Sequence, residues 1–147
     1  MEIRTNWSQV NAAFQDRVKE VVKDTKQEAA ARAVRASNEL RNAALNVLRG
    51  QRTGRVYRKP HTKHATYTAS APGEPPAVRT GMLRMSWSIR ATGDSKGNIT
   101  AGINTDVKYA PILDEGGGHI APRPFKEPII EKAKPAVVSI FKQPFTK

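Results

Sequence analysis

The feature that most constrains the fold is a run of residues, 6–49, that contains neither proline nor glycine. Asn6 and Ser8 are both suitable N-cap residues, and Gly50 suits the position just after a helix. Apolar or small residues recur through the run about every 3.6 residues, the period of an α-helix. The sequence therefore predicts one long amphipathic helix. Its stripe consists of Trp7, Val10, Phe14, Val18, Val21, Thr25, Ala29, Ala33, Ala36, Leu40, Ala43 and Val47.

An unbroken helix of this length would be about 60 Å long at about 1.5 Å per residue. A folded chain of 147 residues has a diameter of only about 40 Å. The helix must therefore break or bend, or extend beyond its own domain. The middle of the stripe is alanine and threonine, which bury little area, so we expect a break near Lys23–Glu28 or a close contact with another subunit. A bent helix that packs wholly on its own sheet is the alternative.

Residues 71–90 begin with a proline-rich loop and end in a pattern typical of a strand. Pro72, Pro75 and Pro76 favour a stiff extended loop, because proline fixes φ and restricts the residue before it. From residue 83 apolar and polar residues alternate, which predicts a strand with one buried face. The turn-forming residues 92–98 and the alternation from Ile99 to Ile103 then predict a hairpin of residues 83–91 with 98–104. The alternating apolar residues are Leu83, Met85, Trp87 and Ile89, and the polar ones are Arg84, Ser86, Ser88 and Arg90.

The region between the helix and the proline loop is strongly basic. Residues 51–90 hold eight basic residues and one acidic residue, a net charge of +7 out of +12 for the whole chain. Two short β-prone runs, Arg55–Arg58 and Ala65–Thr68, predict a basic hairpin with a loose tip. Such a charge suits either an acidic protein surface or nucleic acid, and we favour the protein surface. The candidate interaction block is Arg52, Arg55, Arg58, Lys59 and Lys63.

The last third combines a short apolar segment, a glycine loop and a helix. Residues 107–115 are the apolar segment, and Gly116–Gly118 allow a mobile turn with unusual backbone angles. The final helix should start near Lys126, with Pro128 in its first turn and Pro135 kinking or restarting it before residues 136–141. Together these elements predict a single α+β domain, residues 1–147: a long N-terminal helix (1–50) packed on a small antiparallel sheet (51–104), then a loop and a short kinked C-terminal helix (105–147).

Several classes of function are disfavoured by composition. The absence of cysteine excludes disulfides, thiol catalysis and cysteine-ligated metals. His61 and His64 lack a third ligand at suitable spacing, so we expect no metal. The adjacent Asp114 and Glu115 should diverge, and no catalytic or phosphate-binding motif occurs, so we expect no enzyme, no catalytic residue and no cofactor. We also expect neither a signal peptide nor a membrane span.

Three short motifs follow one another in the second half: Thr80-Gly81-x-Leu83, Tyr109-Ala110 with Glu115-Gly116, and Arg123-Pro124-Phe125-x-x-Pro128. Their order and spacing resemble the tail-completion, or head–tail joining, protein family of long-tailed bacteriophages. Members carry a Thr-Gly-x-Leu turn before a strand, a Tyr-Ala and Glu-Gly segment, and Arg-Pro-Phe-x-x-Pro at the entry to the last helix. The resemblance covers about residues 70–135, behind a long N-terminal helix. Two positions depart from the pattern. The chain has Glu115-Gly116-Gly117-Gly118 where members often have Glu-Phe-Gly or Glu-Tyr-Gly, and Arg79 stands where an acidic residue is common.

The resemblance implies a structural virion protein without enzymatic activity, assembled in the host cytoplasm. Such a protein would form a homo-oligomer, a hexameric ring in the neck between capsid and tail. Its neighbours would be head-closure and tail-terminator or tail-tube proteins, with DNA present only as the passing genome and no membrane involved. The alternatives are an adjacent ring, of the head-closure or tail-terminator type, and a basic nucleic-acid-binding module.

Overall fold

The protein is α+β, as the sequence predicts: one long helix, two antiparallel hairpins and a shorter C-terminal helix. The computed structural model describes residues 7–94 and 96–145. In these residues no helix has both the length and the apolar character needed to cross a membrane. The elements are α1 Trp7–Arg49, β1 Val56–Arg58, β2 Thr66–Thr68, α2 Met82–Met85, β3 Ser88–Gly93, β4 Ile99–Asn104, α3 Ala110–Glu115 and α4 Lys126–Lys142.

Helix α1 is continuous over 43 residues, so the expected break near Lys23–Glu28 is wrong. The alanine-rich middle does not weaken the helix, because alanine has the highest helix propensity and its small side chain allows close packing. Ala33 and Ala36 are buried where α1 crosses the β3/β4 hairpin. Ser37 Oγ there lies 2.9 Å from the Arg90 carbonyl oxygen and accepts the Gly102 N–H at 3.1 Å. The domain thus packs against the C-terminal half of α1, and the N-terminal half extends beyond it.

Both predicted hairpins form, but as two separate two-stranded sheets. In the first, Val56 pairs with Thr68 and Arg58 with Thr66. In the second, the pairs run from Ser88 with Asn104 to Gly93 with Ile99. Helix α1 covers the β3/β4 sheet.

The predicted strand 83–91 is wrong in its first part, because residues Met82–Met85 form one helical turn and β3 starts only at Ser88. Gly81 has a φ of 83°, in the left-handed region that glycine adopts without strain. The Met85 N–H donates to the Gly81 carbonyl oxygen at 2.9 Å and closes the turn. As a result Leu83 points into the core while Met85 is exposed, which the period-two pattern does not allow.

The core lies where α1, α2, α3 and α4 meet. It contains Ala43, Ala44, Leu48, Leu83, Ala110, Phe125, Ile129 and Ala133, with Trp87, Ile103 and Leu113 packed around it. Helix α4 begins at Lys126, as predicted, with Pro128 in its first turn. It runs continuously through Pro135, so the predicted second piece at 136–141 is not separate. Pro135 and Glu131 are exposed, and water can therefore hydrate the Glu131 carbonyl that proline leaves without a helical donor.

Candidate interaction sites

The three sequence motifs meet in one packed unit, although they lie up to 48 residues apart in the chain. We refer to these packed motif residues as the motif unit. Leu83 from the first motif, Ala110 from the second and Phe125 from the third are all buried in the same core cluster. The Trp87 and Phe125 rings pack edge to face with centroids 6.1 Å apart. Pro124 and Pro128 are half-buried on either side of Phe125. Much of the motif pattern therefore serves to hold α2, α3 and α4 together.

Asp114 is a key residue that the sequence reasoning treated only as a poor catalytic candidate. Its Oδ1 accepts the backbone N–H groups of Phe125 at 2.8 Å and Lys126 at 3.0 Å. The carboxylate thereby caps the N-terminus of α4, where unpaired N–H groups and the helix dipole favour negative charge. Its neighbour Glu115 is exposed and has only a 4.0 Å ion pair with Lys126. Asp114 Oδ2 lies 3.7 Å from the same Lys126 Nζ, so both carboxylates reach one ammonium group and the prediction that they diverge is wrong.

Arg123 ties the third motif to the end of the β1/β2 hairpin. Its Nη1 donates to both the carbonyl oxygen and the hydroxyl of Ser70, and its N–H donates to the Leu113 carbonyl at 2.7 Å. The Arg123 guanidinium therefore has hydrogen-bond partners within the chain. The contact joins the hairpin to α3, the helix that carries the second motif.

The glycine loop has the unusual backbone angles that the sequence predicts. Gly116, with a φ of 79°, ends α3, and a Cβ at this position would lie 3.0 Å from the Ile120 carbonyl oxygen and from the Pro122 ring. Gly117 and Ile120 exchange two backbone hydrogen bonds of 3.1 and 3.0 Å. Gly116 is thus needed for both its conformation and the close approach of residues 120–122.

Glu74 and Arg52 fix the proline loop to the end of α1. Glu74 accepts Thr53 Oγ1 at 2.5 Å and the N–H groups of Thr53 and Ala71 at 3.0 and 2.9 Å. Arg52 donates to the carbonyl oxygens of Val47 and Pro76. From the sequence alone Glu74 would be taken for an isolated residue of the proline loop, and that interpretation is wrong. Arg52 does not belong to the basic interaction block either, because backbone carbonyls occupy its guanidinium.

Hydrogen bonds from Thr53, and then from Ala71, lower the pKa of Glu74 to about 2, with a further contribution from the charge of Arg52. A carboxyl whose pKa is lower in the folded than in the unfolded state stabilises the fold above its unfolded pKa. We therefore expect stability to fall between about pH 4.5 and about pH 2 as Glu74 is protonated. Glu74→Gln should lower stability at neutral pH and flatten this part of the profile, as measured by urea denaturation.

Glu115→Gln is the matched control, because Glu115 is exposed and makes only one long ion pair. Its profile should follow that of the wild type. A Glu74→Gln profile as steep as the wild-type one between about pH 4.5 and about pH 2 would contradict the assignment.

The remaining members of the basic block lie on the β1/β2 hairpin. Arg55, Arg58 and Lys63 are exposed and Lys59 is half-buried. The Tyr57 and Tyr67 rings stack on each other at 5.9 Å, and the Arg55 guanidinium lies 5.9 Å from the Tyr57 ring centre. These residues form one cationic projection.

Residues 7–94 and 96–145 contain no group of three or more histidine and acidic side chains that could hold a metal ion. His61 and His64 are both exposed at the hairpin tip. Two of the carboxylates with the most hydrogen bonds, Glu74 and Asp114, bind backbone N–H groups. A third, Asp94, accepts the N–H groups of Lys96 and Asn98 in the β3/β4 turn. These carboxylates hold loops and helix ends in place.

A cleft of about 790 Å³ lies between the hairpin tip, α2 and α3. The motif residues Thr80, Gly81, Leu83, Tyr109 and Arg123 line it, so the motif unit forms one of its walls. Its cationic residues are Lys59, Arg79, Arg84 and Arg123, and among the described residues no aspartate or glutamate lines it. The sequence reasoning placed the basic block on the hairpin alone and did not include Arg79 or Arg84.

The N-terminal half of α1 is a second candidate interaction site. Every residue from 8 to 24 is exposed, a length of about 26 Å of helix. Val10, Phe14, Val18 and Val21 recur at intervals of four, four and three residues and are 50%, 63%, 41% and 38% exposed. This spacing places them on one helix face. We refer to these four residues as the α1 stripe.

No protein-family model, no curated protein and no solved structure matches the chain.

Proposed function

We propose that the protein is a structural component of the neck of a long-tailed bacteriophage, a tail-completion or head–tail joining ring. The observation that carries the proposal is the α1 stripe, an apolar helix face that no other part of the described chain covers. A face of this kind marks a site of association with another protein surface. The long helix would reach from its own domain to the neighbouring subunit of a hexamer.

The motif unit supports the same proposal from a different direction. The residues that resemble the tail-completion family hold α2, α3 and α4 together and border the basic cleft. The arrangement thus gives each subunit a stable domain with interaction surfaces on two sides. Carboxylates that could serve as acids or bases are instead bound to backbone N–H groups, which favours a structural role over an enzymatic one.

The alternatives remain an adjacent ring of the head-closure or tail-terminator type and, less favoured, a nucleic-acid-binding module. A nucleic-acid-binding module would use the exposed Arg55, Arg58 and Lys63. Tight binding to DNA at physiological salt, with a steep dependence on salt concentration, would support it, because each neutralised phosphate releases counterions.

Deletion of the gene from the phage that encodes this protein tests the proposal. We expect filled heads and finished tails that do not join, seen by electron microscopy of lysates, because a joining ring is not needed to build either part. A plasmid copy of the gene should restore joined particles. Heads that lose their DNA would instead indicate a head-closure ring, and tails of uneven length a tail-terminator ring. Normal infectious particles without the protein would contradict a neck function.

A further inference from the structure

The cleft between the hairpin tip, α2 and α3 has a positively charged lining. Of its four cationic residues, Arg123 is occupied by Ser70. The side chains of Lys59, Arg79 and Arg84 have no hydrogen-bond or ion-pair partner among the described residues. No carboxylate of the described cleft lining offsets their charge, so the cleft has an uncompensated positive potential that favours an acidic ligand.

Arg84 adds a second and independent indication. Its Nε is buried and has no hydrogen-bond acceptor in the described structure. A buried donor without an acceptor costs about 1–3 kcal/mol, more when the group is charged. Buried polar atoms in native proteins nearly always have a partner, so an orphan of this kind calls for an explanation. Trp87 Nε1 is a second buried donor without a partner among the described residues, so the orphan by itself does not identify a ligand. Arg84 also lines the cleft, however, and a carboxylate there would pair well with the accessible part of its guanidinium.

The cleft also offers an apolar surface beside its charges. Leu48, Leu83 and Leu113 line it together with Met82 and Tyr109. Met82 is largely exposed, so a ligand that covers it would remove apolar area from water. The ligand must therefore combine negative charge with at least one large apolar group.

We propose that this cleft binds a short acidic peptide segment that carries one large apolar side chain, contributed by a partner protein. Carboxylates of the segment pair with Arg79 and Arg84, and its apolar side chain packs against the exposed Met82 and Tyr109. The binding concerns the cleft of a single chain. It is therefore separate from ring formation, and either proposal can fail while the other stands.

Nucleic acid fits the cleft less well. Single strands bind along basic grooves where successive bases stack on aromatic rings. Here Tyr57 and Tyr67 stack on each other, and Tyr109 is the one other tyrosine among the described residues. The cationic and apolar groups instead surround one concave space of about 790 Å³, a size typical of ligand pockets.

Fluorescence anisotropy with a labelled peptide, Gly-Asp-Glu-Ala-Phe-Asp-Glu-Gly, tests the proposal on the purified protein. We expect saturable binding, weakened at least about tenfold when Asn and Gln replace Asp and Glu in the peptide. The variant R79Q/R84Q should weaken binding by at least about tenfold as well. Arg79→Gln alone, at an exposed position, should weaken it about threefold or more and does not depend on the folding of an Arg84 variant.

The control is R58Q/K63Q, which removes the same charge from exposed residues of the hairpin outside the cleft. We expect less than about a twofold change, because neither side chain lines the cleft and exposed charges are screened by salt. Circular dichroism verifies that each variant is folded. Absence of saturable peptide binding would overturn the proposal, as would an equal loss in the two double variants. Stronger competition by a twelve-nucleotide oligothymidylate than by the unlabelled peptide would assign the cleft to nucleic acid instead.

Discussion

Phe125→Ala should lower the free energy of unfolding by about 3–5 kcal/mol, the usual cost of deleting a buried aromatic side chain. Phe125 is only 4% exposed. Its ring contacts Trp87 edge to face, and it packs in the cluster that contains Leu83 and Ala110. Removal would leave a cavity at the point where the three motifs meet. A domain of this size has a total stability of about 5–15 kcal/mol, so the loss is a large fraction. Urea denaturation of the purified variant measures it.

Phe141→Ala, in the last turn of α4, provides the matched control. The substitution is chemically identical, but Phe141 is 41% exposed and does not belong to the core cluster. We expect a loss below about 1 kcal/mol there. If both variants lost the same free energy, the loss would not depend on burial of the ring in the motif unit. The packing of Phe125 described above would then be wrong.

The elements with strong local signals could be predicted from the sequence. The absence of proline and glycine and the 3.6-residue period predict α1 over its whole described length, and Gly50 marks its C-terminal end to within one residue. The basic hairpin and the β3/β4 hairpin follow from short β-prone runs on either side of turn residues. The start of α4 follows from the position of Pro128. In each case the residues that determine the element lie within the element or next to it.

The errors arose where a distant contact decides the outcome. Alternation from Leu83 to Ile89 is a strand pattern, yet Gly81 and the burial of Leu83 against α1 make Met82–Met85 helical. From the sequence alone, the alanine-rich middle of α1 suggests a weak point in the helix. In the fold, the β3/β4 hairpin packs against α1.

The candidate sites were predicted less completely than the fold, for the same reason. Asp114 caps a helix that begins 12 residues later, and Glu74 binds the backbone of Thr53 and Ala71. The position of a carboxylate in the sequence does not indicate which backbone N–H groups its side chain will contact in the fold. The cleft likewise depends on the approach of the hairpin tip to α2 and α3. The α1 stripe, by contrast, was visible as a pattern, and the structure adds that nothing in the described chain covers it.

Under the proposed neck function, Phe14→Asp should strongly reduce complementation of a deletion phage while leaving the isolated protein as stable as the wild type. Phe14 is 63% exposed at the centre of the α1 stripe, so the substitution should change the free energy of unfolding by no more than about 0.5 kcal/mol. In a ring, by contrast, the carboxylate would be buried without a partner at the contact between subunits, at a cost of several kcal/mol. We expect a plasmid copy of the variant to restore plaque formation to a deletion phage at least about a hundredfold less well than the wild-type copy.

Ala12→Asp is the control that distinguishes loss of a subunit interface from a general effect of added charge on the helix. It adds the same carboxylate two residues away, which at about 100° per residue lies on the side of α1 away from Phe14. Ala12 is also exposed, so both variants should melt at the wild-type temperature. We expect Ala12→Asp to complement the deletion nearly fully, because its carboxylate stays in water. Equal complementation by the two variants would show that the α1 stripe is not a subunit contact, and the long helix would then need another explanation.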